Sequence, residues 1–159
     1  MRVALYQPDI PQNTGAILRL GACLGIGVDI IEPCGFALDD RRLRRVAMDY
    51  GGQVEIARHA SWAAFIAQTR PAARLILLTT RGETPYAEQV YHGSDTLIVG
   101  RESAGVPDDV HGAVAARVRV PMVPGARALN VAISAAMVLG EALRQTYGYC
   151  RAEATEAEC

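Results

Sequence analysis

One stretch near the carboxyl terminus constrains the fold more than any other part of the chain. Residues 121–130 contain two prolines and a glycine, so neither a strand nor a helix can continue there and the backbone must wind into a tight loop. From Val131 to Gln145 the sequence predicts a helix that is apolar on nearly every face before Glu141. Such a helix has to be covered on all sides. Because one small sheet covers only one side, the other side is predicted to meet a second copy of the chain.

The composition is typical of a folded globular chain. Hydrophobic residues make up 50% and charged residues 21% of the 159 residues. We expect one domain over residues 1–150 and a disordered tail over residues 151–159. No apolar run is long enough to span a bilayer, and the first residues read as a strand rather than a signal peptide, so a cytoplasmic protein without a membrane partner is predicted. The four cysteines have neither CxxC spacing nor clustered histidines, which predicts reduced thiols and no metal site.

The charge pattern gives mixed information about nucleic-acid binding. The net charge of −1 argues weakly against a nucleic-acid partner. All 16 basic residues are arginine, however, and arginine is the better bidentate partner for phosphate. An arginine-only chain is equally consistent with genomic base composition, so both explanations stay open.

Strand and helix patterns alternate along the chain, which predicts an α/β fold with a mainly parallel six-stranded sheet flanked by helices. The predicted strands are residues 2–6, 28–31, 54–57, 75–80, 96–99 and 117–120. Asn13 or Thr14 is predicted to cap the first helix, and Ser61 to cap a later one. A further helix is predicted over residues 39–46, with acidic residues at its start.

Three of the predicted strands end in loops rich in glycine or proline. These loops are residues 78–82, 100–107 and 120–124. In open α/β sheets, ligands bind at the carboxyl ends of the strands. The three loops are therefore predicted to line one pocket.

Together with residues 13–19, these loops closely resemble the three sequence motifs of the SPOUT superfamily of knotted RNA methyltransferases. Residues 13–19 match N-x-G-x-I-x-R, residues 100–107 match G-x-E-x-x-G-V-P, and residues 120–130 match V-P-M-x-P-x-x-R-x-L-N. The resemblance covers roughly residues 1–147. It implies a C-terminal deep trefoil knot, S-adenosylmethionine bound in that knot, and a homodimer formed through the C-terminal helix with an active site shared between subunits.

The resemblance also implies an activity. Residues 5–15, 31–36 and 43–45 are most similar to the branch that methylates the ribose 2′-hydroxyl of the wobble cytidine or uridine in leucine tRNAs. Two alternatives stay open at this point. One is the same chemistry at another tRNA position or on ribosomal RNA, and the other is a non-catalytic, nucleotide-binding α/β protein.

The resemblance assigns the S-adenosylmethionine contacts chiefly to loop backbone. The residues are Leu78, Gly100, Val120, Met122, Ala128 and Leu129. Two positions depart from the family pattern. Ala128 stands where serine is common, and Ala132 stands where serine or asparagine is common. A backbone contact survives such a change and a hydroxyl contact does not. Ser134, one turn further on, is either a substitute or an ordinary helix serine.

The catalytic residue implied by the resemblance is Arg19. Arginine hardly ever loses its proton in a protein, so orientation of the ribose hydroxyl or anchoring of a phosphate is favoured over base catalysis. The residues assigned to the substrate side are Asn13, Glu102, Arg41, Arg42, Arg44 and Arg45. Glu102 holds Arg19 or the loop backbone, or forms an ordinary loop salt bridge. The four arginines bind tRNA phosphates or form a solvated helix face, and Asn130 is expected to cap the last helix.

Overall fold

Seven parallel strands form one sheet in the part of the chain that this computed structural model describes, residues 1–38, 55–69 and 73–146. The strands are β1 (Arg2–Tyr6), β2 (Gly27–Ile31), β3 (Ile56–His59), β4 (Leu75–Leu78), β5 (Thr84–Pro85), β6 (Thr96–Val99) and β7 (Ala116–Arg119). Across the sheet their order is β3-β2-β1-β6-β4-β7-β5, and every pairing is parallel. The predicted α/β class with a parallel sheet is confirmed. The predicted helix over residues 39–46, with Arg41, Arg42, Arg44 and Arg45, and the predicted tail over residues 151–159 lie outside the described residues.

The prediction of six strands is wrong by one. The additional strand, β5, lies at the edge of the sheet, with Thr84 opposite Val118 and Pro85 opposite Arg119. The Tyr86 N–H continues this pairing by donating to the Arg119 carbonyl at 2.9 Å. A two-residue strand has no hydrophobic alternation, and its proline is tolerated only because the strand is at an edge. The sequence pattern therefore contains no signal for it.

Within the described residues, four helices cover the two faces of the sheet. They are α1 (Pro11–Leu24), α2 (Trp62–Gln68), α3 (Asp108–Ala113) and α4 (Val131–Thr146). Val3 and Leu5 point to the face covered by α1 and α4. Ala4 and Tyr6 point to the opposite face, where α2 and α3 pack. Burial of each large apolar side chain contributes about 1.5–3 kcal/mol. This three-layer arrangement leaves the carboxyl edge of the sheet available for a site.

Two helices start in different ways. Ser61 caps α2 as predicted, with its Oγ accepting a hydrogen bond from the Ala64 N–H at 3.1 Å. The predicted cap of α1 is wrong, because the helix begins at Pro11 and its N-cap position is Ile10. Proline suits the first helical position, since its ring fixes a helical φ and no N–H is left unpaired. Asn13 is consequently inside the first turn, where its side chain is available for longer-range contacts.

Helix α4 is buried on one side only within the described chain. Its buried residues are Ala135, Val138, Leu139, Ala142 and Leu143. Ile133 and Met137, one turn apart, are 57% and 37% exposed. The helix thus keeps an uncovered apolar face, the feature for which the sequence predicts a second copy. Among the helices described, none has the length and apolar character that a membrane span requires.

Candidate functional site

The loops that follow β4, β6 and β7 meet at the carboxyl edge of the sheet and enclose a cavity of about 360 Å³. All six residues assigned to the cofactor from the sequence line this cavity: Leu78, Gly100, Val120, Met122, Ala128 and Leu129. Asn13 and Glu102, assigned to the substrate side, line it as well. The structure therefore brings together residues from all three motifs, and their individual roles stay predictions.

Several lining residues are not among those assigned to the cofactor or to the substrate side from the sequence. They are Ile10, Leu77, Thr79, Thr80, Arg101, Gly105, Val106, Asn130, Val131 and Ser134. Four of them, Leu77, Thr79, Arg101 and Asn130, directly adjoin a residue assigned to the site. Thr79, Thr80, Arg101, Gly105 and Val106 lie in the loops of residues 78–82 and 100–107, which were predicted as a whole to line one pocket.

The loop after β6 is closed by its own backbone. Arg101 and Gly105 form an antiparallel bridge, with N–H···O distances of 3.0 and 2.8 Å. Gly105 has φ +66°, in the left-handed region that favours glycine. A Cβ on Gly100 would lie 2.6 Å from the Gly105 carbonyl carbon. Both glycines of this motif are thus explained by the tight closure of the loop.

A chain of side-chain hydrogen bonds joins the three motifs. Asn13 Nδ2 donates to Glu102 Oε1 at 3.0 Å, and Asn130 Nδ2 donates to Asn13 Oδ1 at 2.9 Å. Asn130 Oδ1 accepts from the Ala132 and Ile133 N–H groups at 2.9 and 3.2 Å, which caps α4 as expected. Glu102 binds Asn13 and the loop backbone rather than Arg19. The polar wall of the cavity is therefore fixed by contacts within the described chain.

The loop between β1 and α1 makes further contacts that the sequence analysis missed. The Asp9 carboxylate accepts hydrogen bonds from the Glu102 N–H at 3.2 Å, the Ser103 N–H at 3.4 Å and the Ser103 hydroxyl. Hydrogen bonding with Glu102, and then with Ser103, lowers the pKa of Asp9 to about 2. Gln7, at φ 46°, accepts a hydrogen bond from the Arg101 guanidinium. No local pattern signals these contacts, because the partners are 93 or 94 positions apart.

Arg19 is placed differently from the other predicted site residues. It is exposed on α1 and is absent from the cavity lining. Among the residues described, none forms a hydrogen bond or ion pair with its guanidinium. Its assigned catalytic role therefore stays a prediction.

A second cavity, of about 550 Å³, lies at the opposite edge of the sheet. Buried Asp29 binds Arg2 there at 2.7 Å and His59 Nε2 at 2.9 Å. The cavity is larger, but no predicted site residue lines it. The Asp29 carboxylate is paired on both oxygens, which is the requirement for keeping a buried charge. This cluster is accounted for as internal structure.

Comparison with known proteins agrees with this geometry. A relative from Beijerinckia indica subsp. indica, named tRNA (cytidine(34)-2′-O)-methyltransferase, is 56% identical over 144 residues, which cover 90% of each chain. A solved structure that concerns the 2-OH methylation of C/U34 on tRNA superposes with a TM-score of 0.83 at 36% identity, covering 91% of this chain and 94% of that chain. The AdoMet-bound rRNA methyltransferase from Sinorhizobium meliloti superposes with a TM-score of 0.78 at 28% identity, covering 90% of this chain and 55% of that chain.

The match to a family is equally extensive. Residues 1–140 match the SpoU rRNA methylase family, a range that includes all three motifs and every described residue of the cavity. The resemblance found in the motifs is confirmed by this match and by the relative at 56% identity. On these grounds the chain belongs to the SpoU rRNA methylase family.

Proposed function

We propose that this protein is an S-adenosylmethionine-dependent methyltransferase that modifies the ribose 2′-hydroxyl of the wobble nucleotide, cytidine or uridine 34, in leucine tRNAs. One observation carries the proposal: residues from all three methyltransferase motifs line a single cavity, in a chain 56% identical to an enzyme named for this reaction. The solved structure that concerns C/U34 methylation, at 36% identity, supports the same substrate.

The cavity suits S-adenosylmethionine in size and in chemistry. Its volume of about 360 Å³ lies at the lower end of the range for small-molecule sites, about 300–1,000 Å³. The backbone groups of Leu78, Gly100, Val120 and Ala128 would hold the cofactor, with Met122 and Leu129 beside them. Because the backbone contact does not need a side-chain hydroxyl, Ala128 is compatible with this role. The AdoMet-bound relative at 28% identity supports the assignment.

The chain's own residues align the reaction partners. When bound, S-adenosylmethionine supplies a methyl group on a positively charged sulfur. The ribose hydroxyl is weakly acidic, so the protein has to orient it and stabilise negative charge as it develops on the oxygen. We assign this task to Arg19, which keeps its proton and orients the hydroxyl or anchors the adjacent phosphate. Arg41, Arg42, Arg44 and Arg45 are assigned to tRNA phosphates, which supply affinity rather than sequence choice.

We also propose that the segment after β7 is threaded as a deep trefoil knot. Strand β7 lies between β4 and β5, which are consecutive in the chain and joined by the loop of residues 79–83. This loop crosses close to β7, since a Cβ on Gly82 would lie 2.4 Å from the Val118 carbonyl carbon. The Arg119 guanidinium also donates to the Gly82 carbonyl at 2.8 Å. These contacts support passage of the chain beneath the loop.

The proposal includes a homodimer formed through α4. Helix α4 exposes Ile133 (57%) and Met137 (37%), and Leu129, which lines the cavity just before this helix, is 44% exposed. Helix α1 packs against α4, and Arg19 is exposed on α1. A second subunit docked on this face covers the apolar side chains and brings Arg19 towards the site of its partner.

The test uses the purified protein, S-adenosylmethionine and leucine tRNA. Nuclease digestion and mass spectrometry are expected to detect one 2′-O-methyl group, at nucleotide 34. A matched tRNA with 2′-deoxycytidine at that position removes the acceptor hydroxyl and should stay unmodified. Methylation of another tRNA position or of ribosomal RNA would contradict the substrate. Failure to bind S-adenosylhomocysteine in calorimetry would favour the non-catalytic nucleotide-binding protein instead.

A further inference from the structure

We propose that Asp9 is a positioning residue of the methyltransferase site. It lies outside the cavity and holds the loop of residues 101–105 in place. Neither Asp9 nor Ser103 lines the cavity, whereas Gly100, Arg101, Glu102 and Gly105 do. The proposal deepens the proposed function and rests on it for its catalytic meaning.

The contacts between the two loops are reciprocal. The Asp9 N–H donates to Glu102 Oε2 at 3.1 Å, while the Glu102 N–H donates to Asp9 Oδ1 at 3.2 Å. Asp9 Oδ2 accepts from the Ser103 N–H at 3.4 Å and from the Ser103 hydroxyl. Asp9 thus fixes both the backbone at residues 102–103 and the Glu102 side chain. Hydrogen bonds to a charged acceptor are the stronger kind, which makes the carboxylate the central group of this contact.

Asp9 is itself positioned on its other side. The Gly35 N–H donates to the Pro8 carbonyl at 2.9 Å. A Cβ on Gly35 would lie 2.6 Å from Asp9 Cβ and 2.9 Å from Asp9 Cα. Gln7 accepts a hydrogen bond from Arg101, so the same loop contacts residue 101 as well. The segment of residues 7–9 is therefore a fixed support to which the loop of residues 101–105 is attached.

The effect of Asp9 reaches the other motifs through Glu102. Glu102 Oε1 accepts from Asn13, and Asn13 Oδ1 accepts from Asn130 at the start of α4. If the contact made by the Asp9 carboxylate is lost, the Glu102 N–H loses its acceptor. The Asp9 N–H, which donates to the Glu102 side chain, is then free to move. Gly100, which is assigned to the cofactor, begins the same loop, and that loop then keeps the Arg101–Gly105 bridge, the Arg101–Gln7 bond and the Asn13–Glu102 bond but loses its contact with the Asp9 carboxylate.

Two substitutions separate this role from a general effect on stability. Asp9→Asn keeps the size of the side chain but replaces one acceptor oxygen with an NH2 donor, so the N–H of either Glu102 or Ser103 loses its acceptor. Ser103→Ala removes only the hydroxyl contact. Glu88→Gln is the matched control, because it removes the same charge from an exposed loop residue that does not line the cavity.

The measurements are S-adenosylhomocysteine binding by calorimetry, KM for S-adenosylmethionine, kcat, and amide hydrogen exchange at Glu102 and Ser103. For Asp9→Asn we expect about a tenfold loss of affinity and a matching rise in KM, together with a small fall in melting temperature because one loop N–H loses its acceptor. Ser103→Ala is expected to give a smaller loss in the same direction. The double variant should lose less than the product of the single losses, because both changes break one contact. Glu88→Gln should match the wild type.

The outcomes also separate this proposal from the proposed function. If the wild type binds S-adenosylhomocysteine and Asp9→Asn binds it equally well, the positioning role is wrong. If the wild type does not bind S-adenosylhomocysteine, the proposed function fails. Amide hydrogen exchange at Glu102 and Ser103 then tests by itself whether Asp9 holds the loop. Faster exchange in Asp9→Asn supports the contact, and unchanged exchange overturns it. If Asp9→Asn does not fold, the same readouts on Ser103→Ala decide between these outcomes.

Discussion

The side-chain amide of Asn130 donates a hydrogen bond of 2.9 Å to Asn13 Oδ1, across 117 positions of the sequence. The carbonyl oxygen of the same Asn130 side chain accepts from two N–H groups in the first turn of α4. One side chain therefore both caps α4 and joins it to the first turn of α1. Because Asn13 also binds Glu102, this pair connects the walls of the cavity.

Replacement of Asn130 should reveal both functions of this side chain. Asn130→Ala removes the cap and the bond to Asn13, and we expect the free energy of unfolding to fall by about 1–2 kcal/mol. Asn130→Asp keeps a good capping acceptor but loses the donor to Asn13. Urea unfolding should therefore place Asn130→Asp between Asn130→Ala and the wild type. Equal stability of Asn130→Ala and the wild type would contradict this account of the cap.

The strands at the centre of the sheet and the residues around the cavity were predictable for one physical reason. Parallel strands buried on both faces read as short apolar runs, as at residues 75–78 and 96–99. Glycine and proline then mark where each run ends. Since all parallel strands end at the same edge, the loops after them converge, and the loops that begin at Gly100 and Val120 follow from that rule. The local pattern and this rule predicted the loops, whereas the individual cofactor and substrate residues were implied by the resemblance to the family.

Contacts between distant loops were not predictable in the same way. Asp9 lies in a proline-containing loop, where an aspartate is equally compatible with solvent, and its partners are 93 or more positions away. Asn13 carries a local capping signal, but Pro11 starts the helix and leaves Asn13 to bind Glu102 and Asn130. In both cases the sequence supplies a hydrogen-bonding group, and only the tertiary fold determines its partner.

The closed loop after β6 leads to a prediction about glycine. In Gly100→Ala the new Cβ would lie 2.6 Å from the Gly105 carbonyl carbon, so the loop backbone must shift. We expect S-adenosylhomocysteine affinity to fall at least about tenfold, with a destabilisation of about 1–3 kcal/mol. Gly112→Ala is the control, because nothing lies within 4 Å of a Cβ there. It should be neutral or slightly stabilising, since alanine is the better residue within a helix. Normal affinity in Gly100→Ala would show that the loop tolerates the shift.

The uncovered face of α4 predicts the effect of a charge on assembly. Ile133 is 57% exposed in the single subunit. Ile133→Asp places a carboxylate on the apolar face that the proposed second subunit covers. We expect light scattering to give the mass of a dimer for the wild type and of a monomer for the variant. Ile66→Asp is the matched change on α2, at the opposite face of the sheet, where Ile66 is 40% exposed. A variant Ile133→Asp that stays dimeric would place the subunit contact elsewhere.

Arg19 provides the most direct test of the proposed catalytic role. Because it lies outside the cavity lining, Arg19→Ala should leave S-adenosylhomocysteine affinity unchanged. If the guanidinium orients the ribose hydroxyl or an adjacent phosphate, kcat should fall by about 10²-fold, the usual loss when one group that stabilises developing charge is removed. Arg19→Lys keeps the charge without the bidentate geometry, so it should recover only part of the rate. Single-turnover methylation of leucine tRNA measures both variants. A variant Arg19→Ala with normal kcat and a raised KM for tRNA would assign the residue to RNA binding alone.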